Sequence, residues 1–440
     1  MVTREDNDLL TRVEDDWPMG QIMRRHWLPA CLSEEVRDAD GTPVRTRMLG
    51  EDLVVFRDSQ GRLGVLGEHC PHRRASLAFG RNEESGLRCL YHGWKFDVDG
   101  KVLDMPCEPE TGRLKLERKH KSYPSREAGG FVWIYMGPEE SLREFEPPNW
   151  SPTPTTRISI VKMHTPCNWA QVLEGSIDSA HSSSLHSSIM RPMDVDGAKA
   201  TEELWPRPST DTAPRMRFQP TSFGFRYAAV RTPNTNAATH DYVRITLFVA
   251  PFTVIIPPND QYKLAQMLFP IDDENTMFYF IAWHETKGID QDAWRKFCYA
   301  RVGIDLDENY RKIRTLENRF LQDRDAMRQG DFTGIKGIPA QDMAMWESMG
   351  PITDRTEDNL GASDIAVIQF RRQMIQAARS FRDGGPAIGT SEPRVPKLKL
   401  SSFEGIVPKS TDWRTLGVSE EERKSHAKSD SADRGIIVRR

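Results

Sequence analysis

Two short segments, each holding one cysteine and one histidine, limit what this chain can fold into more than any other feature. Cys70-Pro-His72 is followed by sixteen residues and then by Cys89-Leu-Tyr-His92. A metal group that draws on both segments needs two tight loops that lie side by side. The neighbouring apolar segments, such as Phe131-Val-Trp-Ile-Tyr135, are short and bounded by turn residues. They predict a small all-β unit around the loops.

The order of the ligands favours an iron–sulfur cluster over a zinc site. In a [2Fe–2S] cluster held by two cysteines on one iron and two histidines on the other, the imidazoles raise the reduction potential above that of an all-cysteine cluster. A structural zinc site is the alternative, because two cysteines and two histidines also bind zinc. Zinc sites usually pair like ligands, whereas each segment here carries one of each.

A second group of metal-binding residues lies further along the chain. Glu174, Asp178 and His181 are spaced i, i+4 and i+7, which would place them on one face of a helix. His186 follows His181 by five residues, about 140° of rotation beyond one full turn. Both histidines can reach one ion only if the helix breaks, and Ser182-Ser-Ser184 is a credible break.

Two histidines and one carboxylate are the ligand set of mononuclear ferrous oxygenases, in which positions stay open for O₂ and substrate. The spacing leaves the third ligand ambiguous, because Asp178, Asp354, Asp358 and Asp364 are all possible. Each of them has an ordinary alternative role as a surface acid or a helix cap. Asp364 opens a predicted helix, so capping is its ordinary role.

The pattern of elements changes after a loop rich in proline and acidic residues at 137–154, which marks a domain boundary. Beyond it we predict helices over 167–185, 290–329 and 364–382 and strands over 224–231, 241–256, 262–269 and 276–284. A sheet followed by helices is an α+β layout. The predicted regions are an N-terminal segment (1–24), a first domain (25–145), a second domain (150–383) and a tail extended over the surface (384–440).

Composition excludes several classes of protein. Lys plus Arg number 60 against 64 for Asp plus Glu, so no basic field is available for nucleic acid. No apolar run reaches the ~18 residues of a membrane helix. The charged start lacks the apolar stretch of a secretory signal, and six cysteines in 440 residues suit a reducing compartment. We therefore expect a cytoplasmic enzyme.

Taken together, the motifs resemble those of the Rieske non-haem iron oxygenases. The resemblance extends from about residue 20 to 380, and its last segment looks most like the phthalate dioxygenase group. It rests on Trp27-Leu-Pro29, Cys70-Pro-His72-Arg-Arg74, Tyr91-His-Gly-Trp94, Asn168-Trp169, the Glu174–Asp178–His181–His186 spacing, Glu347-Ser-Met-Gly-Pro-Ile-Thr-Asp-Arg355 and Leu360-Gly-Ala-Ser-Asp364.

This resemblance implies a role for each metal-binding residue. The Rieske cluster would have Cys70 and Cys89 on one iron and His72 and His92 on the other. The mononuclear Fe(II) would be held by His181, His186 and Asp364. Asp178 would bridge a ligand histidine to a cluster histidine of the neighbouring subunit, in a homotrimer or stacked trimers. The catalytic domain would have the helix-grip fold, an antiparallel sheet around a long helix.

The resemblance also implies the terminal oxygenase of a multicomponent ring-hydroxylating system. A separate flavin and iron–sulfur reductase would deliver electrons from NADH, because the chain has no Gly-x-Gly-x-x-Gly after a strand. The substrates would be O₂ and a phthalate-like aromatic carboxylate. Arg244, among aromatic residues on one face of the strand at 241–249, and Arg207 are the residues expected to grip carboxylates.

Other functions fit part of this pattern. Within the same class, the enzyme could be a monooxygenase, an O-demethylase or a diaryl-ether-cleaving oxygenase that acts on a methoxybenzoate or phenoxybenzoate. A Rieske ferredoxin with an appended domain would explain the first motif but would leave His181 and His186 without a role. A zinc-stabilised ligand-binding protein is the third possibility.

Overall fold

Ten short strands and two α-helices make up the described residues in the first part of the chain. The computed structural model describes residues 2–109, 119–150, 157–192, 205–258, 262–392, 395 and 397–418. The elements are α1 (Arg4–Thr11), α2 (Pro18–Arg24), β1 (Trp27–Leu32), β2 (Val44–Met48), β3 (Glu51–Arg57), β4 (Leu63–Gly67), β5 (Arg81–Glu83), β6 (Gly86–Arg88), β7 (Lys95–Phe96), β8 (Val102–Asp104), β9 (Ser125–Ala128) and β10 (Phe131–Tyr135).

These strands form three small antiparallel sheets, with the orders β1-β10-β9, β2-β3-β4 and β5-β6-β7-β8. A separate apolar core lies between the last two sheets and includes Val54, Phe56, Leu87 and Phe96. The two cysteines of the first motif belong to this core. The predicted all-β unit is therefore present, and its core fixes the base of both cysteine–histidine loops.

The second part of the chain is built on one large antiparallel sheet. Its order is β11-β17-β16-β15-β14-β13-β12, and β18 pairs with β14. The elements are β11 (Ile158–Thr165), α3 (Trp169–Ile177), β12 (Arg215–Thr221), β13 (Gly224–Arg231), β14 (His240–Val249), β15 (Thr253–Ile256), β16 (Lys263–Pro270), β17 (Thr276–Trp283), α4 (Gln291–Phe297), α5 (Arg324–Arg328), α6 (Ile338–Ser348), α7 (Ile365–Arg382) and β18 (Phe403–Pro408).

Two helices pack against one face of this sheet through aromatic side chains. The rings of Phe248 on β14 and Phe370 on α7 lie 5.2 Å apart, and those of Trp169 on α3 and Phe370 lie 5.9 Å apart. The N-terminal segment joins the same layer, because Arg379 of α7 pairs with Asp6 of α1. The long helix α7 and the sheet have the relation expected of a helix-grip domain. No described helix is long and apolar enough to cross a membrane.

The predicted helix over 290–329 is wrong. Only α4 and the short α5 are α-helical there, and the rest is turns, irregular segments and one 3₁₀ turn at Arg319–Leu321. Asp305 accepts a hydrogen bond from the backbone N–H of Arg301, and Asp307 accepts one from the N–H of Arg311. Such bonds from side chains to backbone offer the chain an alternative to helix, which apolar periodicity does not reveal.

The tail also differs from its expected course over the surface. Residues 403–408 form β18, which pairs with β14 in a register that sets Glu404 opposite Arg244. Residues 247–249 of β14 already pair with β15, so its remaining edge at 240–245 offers free backbone groups that β18 satisfies. Residues 419–440 of the predicted tail lie outside the described part of the chain.

Candidate metal centres

Two tight loops bring the four residues of the first motif together. In the first loop the N–H of Arg74 donates to the carbonyl of Cys70 at 2.9 Å, and in the second the N–H of Gly93 donates to the carbonyl of Cys89 at 3.0 Å. Arg74 and Gly93 have φ of 64° and 72°, in the left-handed region that reverses each loop. The two loops therefore share one hydrogen-bond pattern, and each loop holds one thiol and one imidazole.

The histidines of the two loops lie towards solvent and the cysteines towards the core. The ring centroids of His72 and His92 are 4.4 Å apart, and His72 stacks on Trp94 at 4.9 Å. Cys70 and Cys89 are buried, whereas both histidines are half-buried. Nδ1 of His72 is buried without a hydrogen-bond partner among the described residues, as a metal ligand would be. This donor set fits a [2Fe–2S] cluster with an exposed histidine end.

The surroundings of the Cys70 thiol act on the charge of its sulfur in two opposing directions. Burial and the neighbouring Cys89 thiol raise the pKa of Cys70 to about 11. The backbone N–H groups of His72 and Arg73 hydrogen-bond to the sulfur and act to lower this pKa. The thiolate is the form that binds metal. Cluster binding would therefore displace the proton of Cys70, and the two N–H groups would stabilise the thiolate that results.

The second group of ligands gathers just past the end of α3. The helix ends at Ile177 because Asp178 adopts an extended backbone and its Oδ1 accepts a hydrogen bond from the N–H of Ala180 at 2.7 Å. The break therefore comes before His181, earlier than the expected position at Ser182. The expectation that Glu174, Asp178 and His181 share one helix face is wrong for the same reason.

His181 and His186 meet a carboxylate that sequence reasoning did not select. Their Nε2 atoms are 3.2 Å apart, and Oδ1 of Asp342 on α6 lies 3.5 Å from Nε2 of His181 and 3.1 Å from Nε2 of His186. Oδ1 of Asp342 is buried and receives no hydrogen bond from the described residues. A cation would satisfy this oxygen. Two imidazole nitrogens and one carboxylate oxygen fit Fe(II).

The structure does not bring Asp364 to the two histidines. Its carboxylate accepts a hydrogen bond from the N–H of Gly361 at 2.6 Å, at the start of α7, which is the ordinary capping role. The other possible acids, Asp354 and Asp358, contact Thr356 and Arg371 instead. The acid that the structure places beside the histidine pair is Asp342, at the position where Asp364 was expected.

The remaining nitrogen of each histidine ring faces its own acceptor. Nδ1 of His181 lies 3.3 Å from Oδ2 of Asp178, and Nδ1 of His186 lies 2.8 Å from Oε1 of Gln341. The Gln341 amide is held in this orientation because its Nε2 donates to the carbonyl of Ile335 at 2.7 Å. These acceptors favour a proton on Nδ1 of both rings and leave both Nε2 atoms facing Asp342, where a metal ion would bind.

The acids around the histidines create a site for positive charge. Burial lowers the pKa of His181, but the hydrogen bond to Asp178 and the charges of Asp342 and Asp178 outweigh it and hold the pKa above its ordinary value. The pKa of Asp178 is correspondingly held below its ordinary value, although burial raises it. A site that stabilises a cationic imidazole stabilises a metal cation by the same forces.

A cavity adjoins the candidate metal-binding residues and is walled on one side by the large sheet. The wall consists of Tyr227 on β13, Arg244 and Thr246 on β14, Ile256 on β15, Gln266 on β16 and Phe280 on β17. A larger open groove of about 660 Å³ lies between α1 and α7, but it is lined by neither histidine nor cysteine. The smaller cavity is therefore the one that chemistry at the metal would use.

Both arginines expected to grip a carboxylate are buried beside this cavity. Arg244 is 5% exposed and its guanidinium lies 5.9 Å from the ring centre of Trp205. Arg207 is 3% exposed, and its Nη2 donates to Oγ of Ser182 at 2.7 Å. Burial, followed by repulsion from Arg244, lowers the pKa of Arg207 to about 9, so it remains charged at neutral pH.

Comparison with known protein families identifies the family to which a chain with these two sites belongs. Residues 26–124 match the Rieske [2Fe-2S] domain, and residues 134–434 match the family described as LigXa C-terminal domain like. The chain belongs to the Rieske non-haem iron oxygenases. The resemblance seen in its motifs is confirmed.

Individual relatives of this oxygenase cover almost its whole length. It is 59% identical over 415 residues to the phthalate 4,5-dioxygenase oxygenase subunit of Pseudomonas putida, with 94% of each chain covered. It is 36% identical over 437 residues to the 3-chlorobenzoate-3,4-dioxygenase oxygenase subunit of Comamonas testosteroni, covering 94% of this chain and 98% of that one. The crystal structure of dicamba monooxygenase bound to dicamba has the same fold, with a TM-score of 0.56, 17% identity and coverage of 82% of this chain and 98% of that one.

Membership establishes the broad chemistry of this Rieske oxygenase. It carries a Rieske [2Fe–2S] cluster and a mononuclear iron, and it is the terminal oxygenase of a ring-hydroxylating system like that of phthalate dioxygenase. The predicted fold, a small all-β domain and a large antiparallel sheet with a long helix, is confirmed.

Sequence reasoning missed Asp342 and its neighbour Gln341 because it did not recognise α6. All but two residues of this helix are buried, so no amphipathic pattern marks it. The signal that could have found it is Gly337 followed by Pro339 in the first turn, a typical helix start. A buried acid such as Asp342 in this helix then points to a functional role.

Proposed function

We propose that this oxygenase inserts both atoms of O₂ into a phthalate-like aromatic dicarboxylate and forms a cis-dihydrodiol. The observation that carries the proposal is the pair of buried arginines, Arg207 and Arg244, beside the cluster of His181, His186 and Asp342. A planar guanidinium binds a carboxylate through two parallel hydrogen bonds. The two aromatic acids in the names of the relatives support the same substrate class.

The metal ligands that we propose divide between the two domains. In the domain at 25–145, Cys70 and Cys89 hold one cluster iron, and His72 and His92 hold the other. In the domain at 150–383, the mononuclear iron is held by His181, His186 and Asp342. When bound, the cluster supplies single electrons and the mononuclear iron supplies the activation of O₂.

The residues of this chain orient the groups that react. Asp178 and Gln341 keep the protons of the two ligand histidines on Nδ1, so that both Nε2 atoms stay available to metal. The guanidiniums of Arg244 and Arg207 hold the carboxylates, and the apolar part of the wall around Phe280 faces the ring. The substrate would thus be aligned before O₂ enters.

We also propose that electrons pass between subunits of a ring, a homotrimer or stacked trimers. Apolar side chains at the cluster end are strongly exposed, with Phe79 at 77%, Leu90 at 60% and Tyr91 at 55%. Exposed apolar groups around an electron-transfer site favour docking on another protein surface. Asp178 keeps about a fifth of its side chain exposed next to His181, which suits contact with a cluster histidine of the neighbouring subunit.

A complementation experiment tests transfer between subunits. Cys89→Ser removes the cluster and Asp342→Ala removes the mononuclear iron, so each variant alone is expected to be inactive. Co-expression of the two chains should restore part of the activity, because the cluster of one chain serves the iron of the next. If mixed assemblies stay inactive while both parental variants fold, transfer takes place within one chain and the proposal is refuted.

The electrons would come from NADH through a separate reductase with flavin and an iron–sulfur centre, in the cytoplasm. All six cysteines are free thiols in the structure, which suits a reducing compartment. Sedimentation of the purified oxygenase, and its reduction by NADH only when a reductase is added, test the assembly and the partner.

Product analysis tests the reaction itself. With phthalate, a surrogate reductase and ¹⁸O₂, we expect a cis-dihydrodiol that carries two labelled atoms; one labelled atom would favour the monooxygenase or O-demethylase alternative.

Arg244→Gln and Arg207→Gln should each raise the KM for phthalate about 10- to 150-fold, since a hydrogen bond to a charged group contributes about 1.5–3 kcal/mol. Arg217→Gln, at an exposed arginine on β12, is the matched control.

A further inference from the structure

Three buried arginines, not two, lie at the substrate cavity: Arg244 lines it, and Arg207 and Arg231 donate to Ser182 and Ser179 in its lining. Arg231 on β13 is fully buried, and its Nη2 donates to the carbonyl of Ser179 at 2.7 Å. Arg231 lies opposite Tyr242 across the β13–β14 pair, and Arg244 lies two residues further along β14, on the same face. Burial and the charge of Arg244 lower the pKa of Arg231, so the guanidiniums influence one another.

One carboxylate among the described residues forms an ion pair with this group. Glu404 on β18 lies directly opposite Arg244 in the strand register, and its Oε2 is 3.5 Å from Nε of Arg244. Its Oε1 accepts a hydrogen bond from the hydroxyl of the buried Tyr242. Only 15% of the Glu404 side chain is exposed. The C-terminal strand therefore delivers one negative charge to an otherwise cationic wall.

Among the described residues, neither Arg207 nor Arg231 has a carboxylate in an ion pair, and Asp211 acts on Arg231 only as a minor electrostatic influence. Three guanidiniums carry three positive charges, and Glu404 carries one negative charge. The acids on the metal side, Asp178 and Asp342, carry two negative charges, which a divalent iron balances. Buried charge without a partner is costly. A ligand with two negative charges would neutralise the wall, whereas a ligand with one would leave a buried guanidinium uncompensated.

We propose that Glu404, which lies on the C-terminal strand and does not line the substrate cavity, tunes substrate specificity by limiting the positive charge beside that cavity, and thereby sets how strongly a dianionic aromatic acid is preferred over a monoanionic one. This inference rests on the proposed function. It assigns Glu404 an electrostatic role that acts through Arg244.

The test compares the binding of a dianion and a monoanion. The dissociation constants of phthalate and benzoate are measured by titration calorimetry on anaerobic holoenzyme, and their ratio is the readout. Glu404→Gln keeps an acceptor for Tyr242 but removes one negative charge. The additional net positive charge attracts both negative charges of phthalate but only the single negative charge of benzoate. The ratio of the two dissociation constants should therefore shift towards phthalate by about tenfold or more, for charges ~8 Å apart in a partly buried site.

Two controls separate charge from structure. Glu404→Asp keeps the charge and should leave the ratio unchanged. Asp241→Asn removes a carboxylate from β14, the strand of Arg244, but on its other face, where Asp241 pairs with the exposed Arg215, and should also leave the ratio unchanged.

The possible outcomes are distinct. A wild-type protein that prefers phthalate, with a ratio unchanged in Glu404→Gln, overturns the role of Glu404 and leaves the proposed function standing. A wild-type protein that binds benzoate as tightly as phthalate overturns both. A ratio that rises in Glu404→Gln alone, and in neither control, supports the inference.

Discussion

The hydrogen bond between His186 and Gln341 provides a quantitative test of how the iron site is organised. Both side chains are almost fully buried, at 3% and 1% exposure, and Nδ1 of His186 donates to Oε1 of Gln341 at 2.8 Å. Gln341→Leu removes the acceptor and leaves a buried ring N–H unsatisfied. That loss costs about 1–3 kcal/mol, which corresponds to a rise of about 5- to 150-fold in the dissociation constant of Fe(II).

The assay is competition for Fe(II) against a chromogenic chelator, under anaerobic conditions and with the cluster absorbance recorded to show that the first domain is intact. Gln266→Leu is the matched control, because Gln266 is a buried glutamine in the wall of the same cavity that does not contact a ligand histidine. We expect weaker iron binding only in Gln341→Leu. Equal affinity in both variants and the wild type would refute the orienting role of Gln341.

The remaining predictions concern stability, electron transfer and the cluster. Glu174→Gln should lower the melting temperature at pH 7, because the buried carboxylate accepts a hydrogen bond from Arg355 at 2.8 Å and breaking such a pair costs about 3–5 kcal/mol. Burial raises the pKa of Glu174, but its arginine partners hold it below the ordinary value near 4.5, so the stabilisation is present above that pH and is lost as the pH falls. Melts followed by circular dichroism should therefore converge at acid pH; a constant difference would contradict the assignment. Asp178→Asn should slow the reoxidation of the reduced cluster by O₂ and substrate about 10- to 100-fold with both centres loaded, and an unchanged stopped-flow rate would argue against a bridge. Cys89→Ser should abolish the cluster absorbance, whereas Cys298→Ser, at another buried thiol, should retain it.

The features that sequence reasoning predicted well are local. All four residues of the cluster motif lie in two adjacent loops, so their order alone indicated the type of metal group. The strand over 224–231 was predicted with the bounds that β13 has in the structure. The helix predicted over 364–382 corresponds to α7, which begins one residue later. In each case the pattern of neighbouring residues carries the information.

The features that it missed depend on contacts between distant parts of the chain. Asp342 reaches His186 because α6 packs beside α3, and the spacing of acids along the sequence does not reveal that packing. Glu404 joins the cavity wall because β18 pairs with the free edge of β14. Residues 401–408 lack a strong alternation, so a strand was not expected there. Tertiary pairing overrides weak local preference in both cases.

The central claim is that one chain holds two iron centres and that Asp342 completes the second. Iron analysis of anaerobically purified protein, combined with electron paramagnetic resonance of the reduced cluster, tests it in the wild type, Asp342→Ala and Asp364→Ala. We expect two cluster irons and one mononuclear iron per chain in the wild type and in Asp364→Ala. Asp342→Ala should lose one iron without any change in the cluster signal. Loss of the mononuclear iron in Asp364→Ala, with full retention in Asp342→Ala, would contradict the claim.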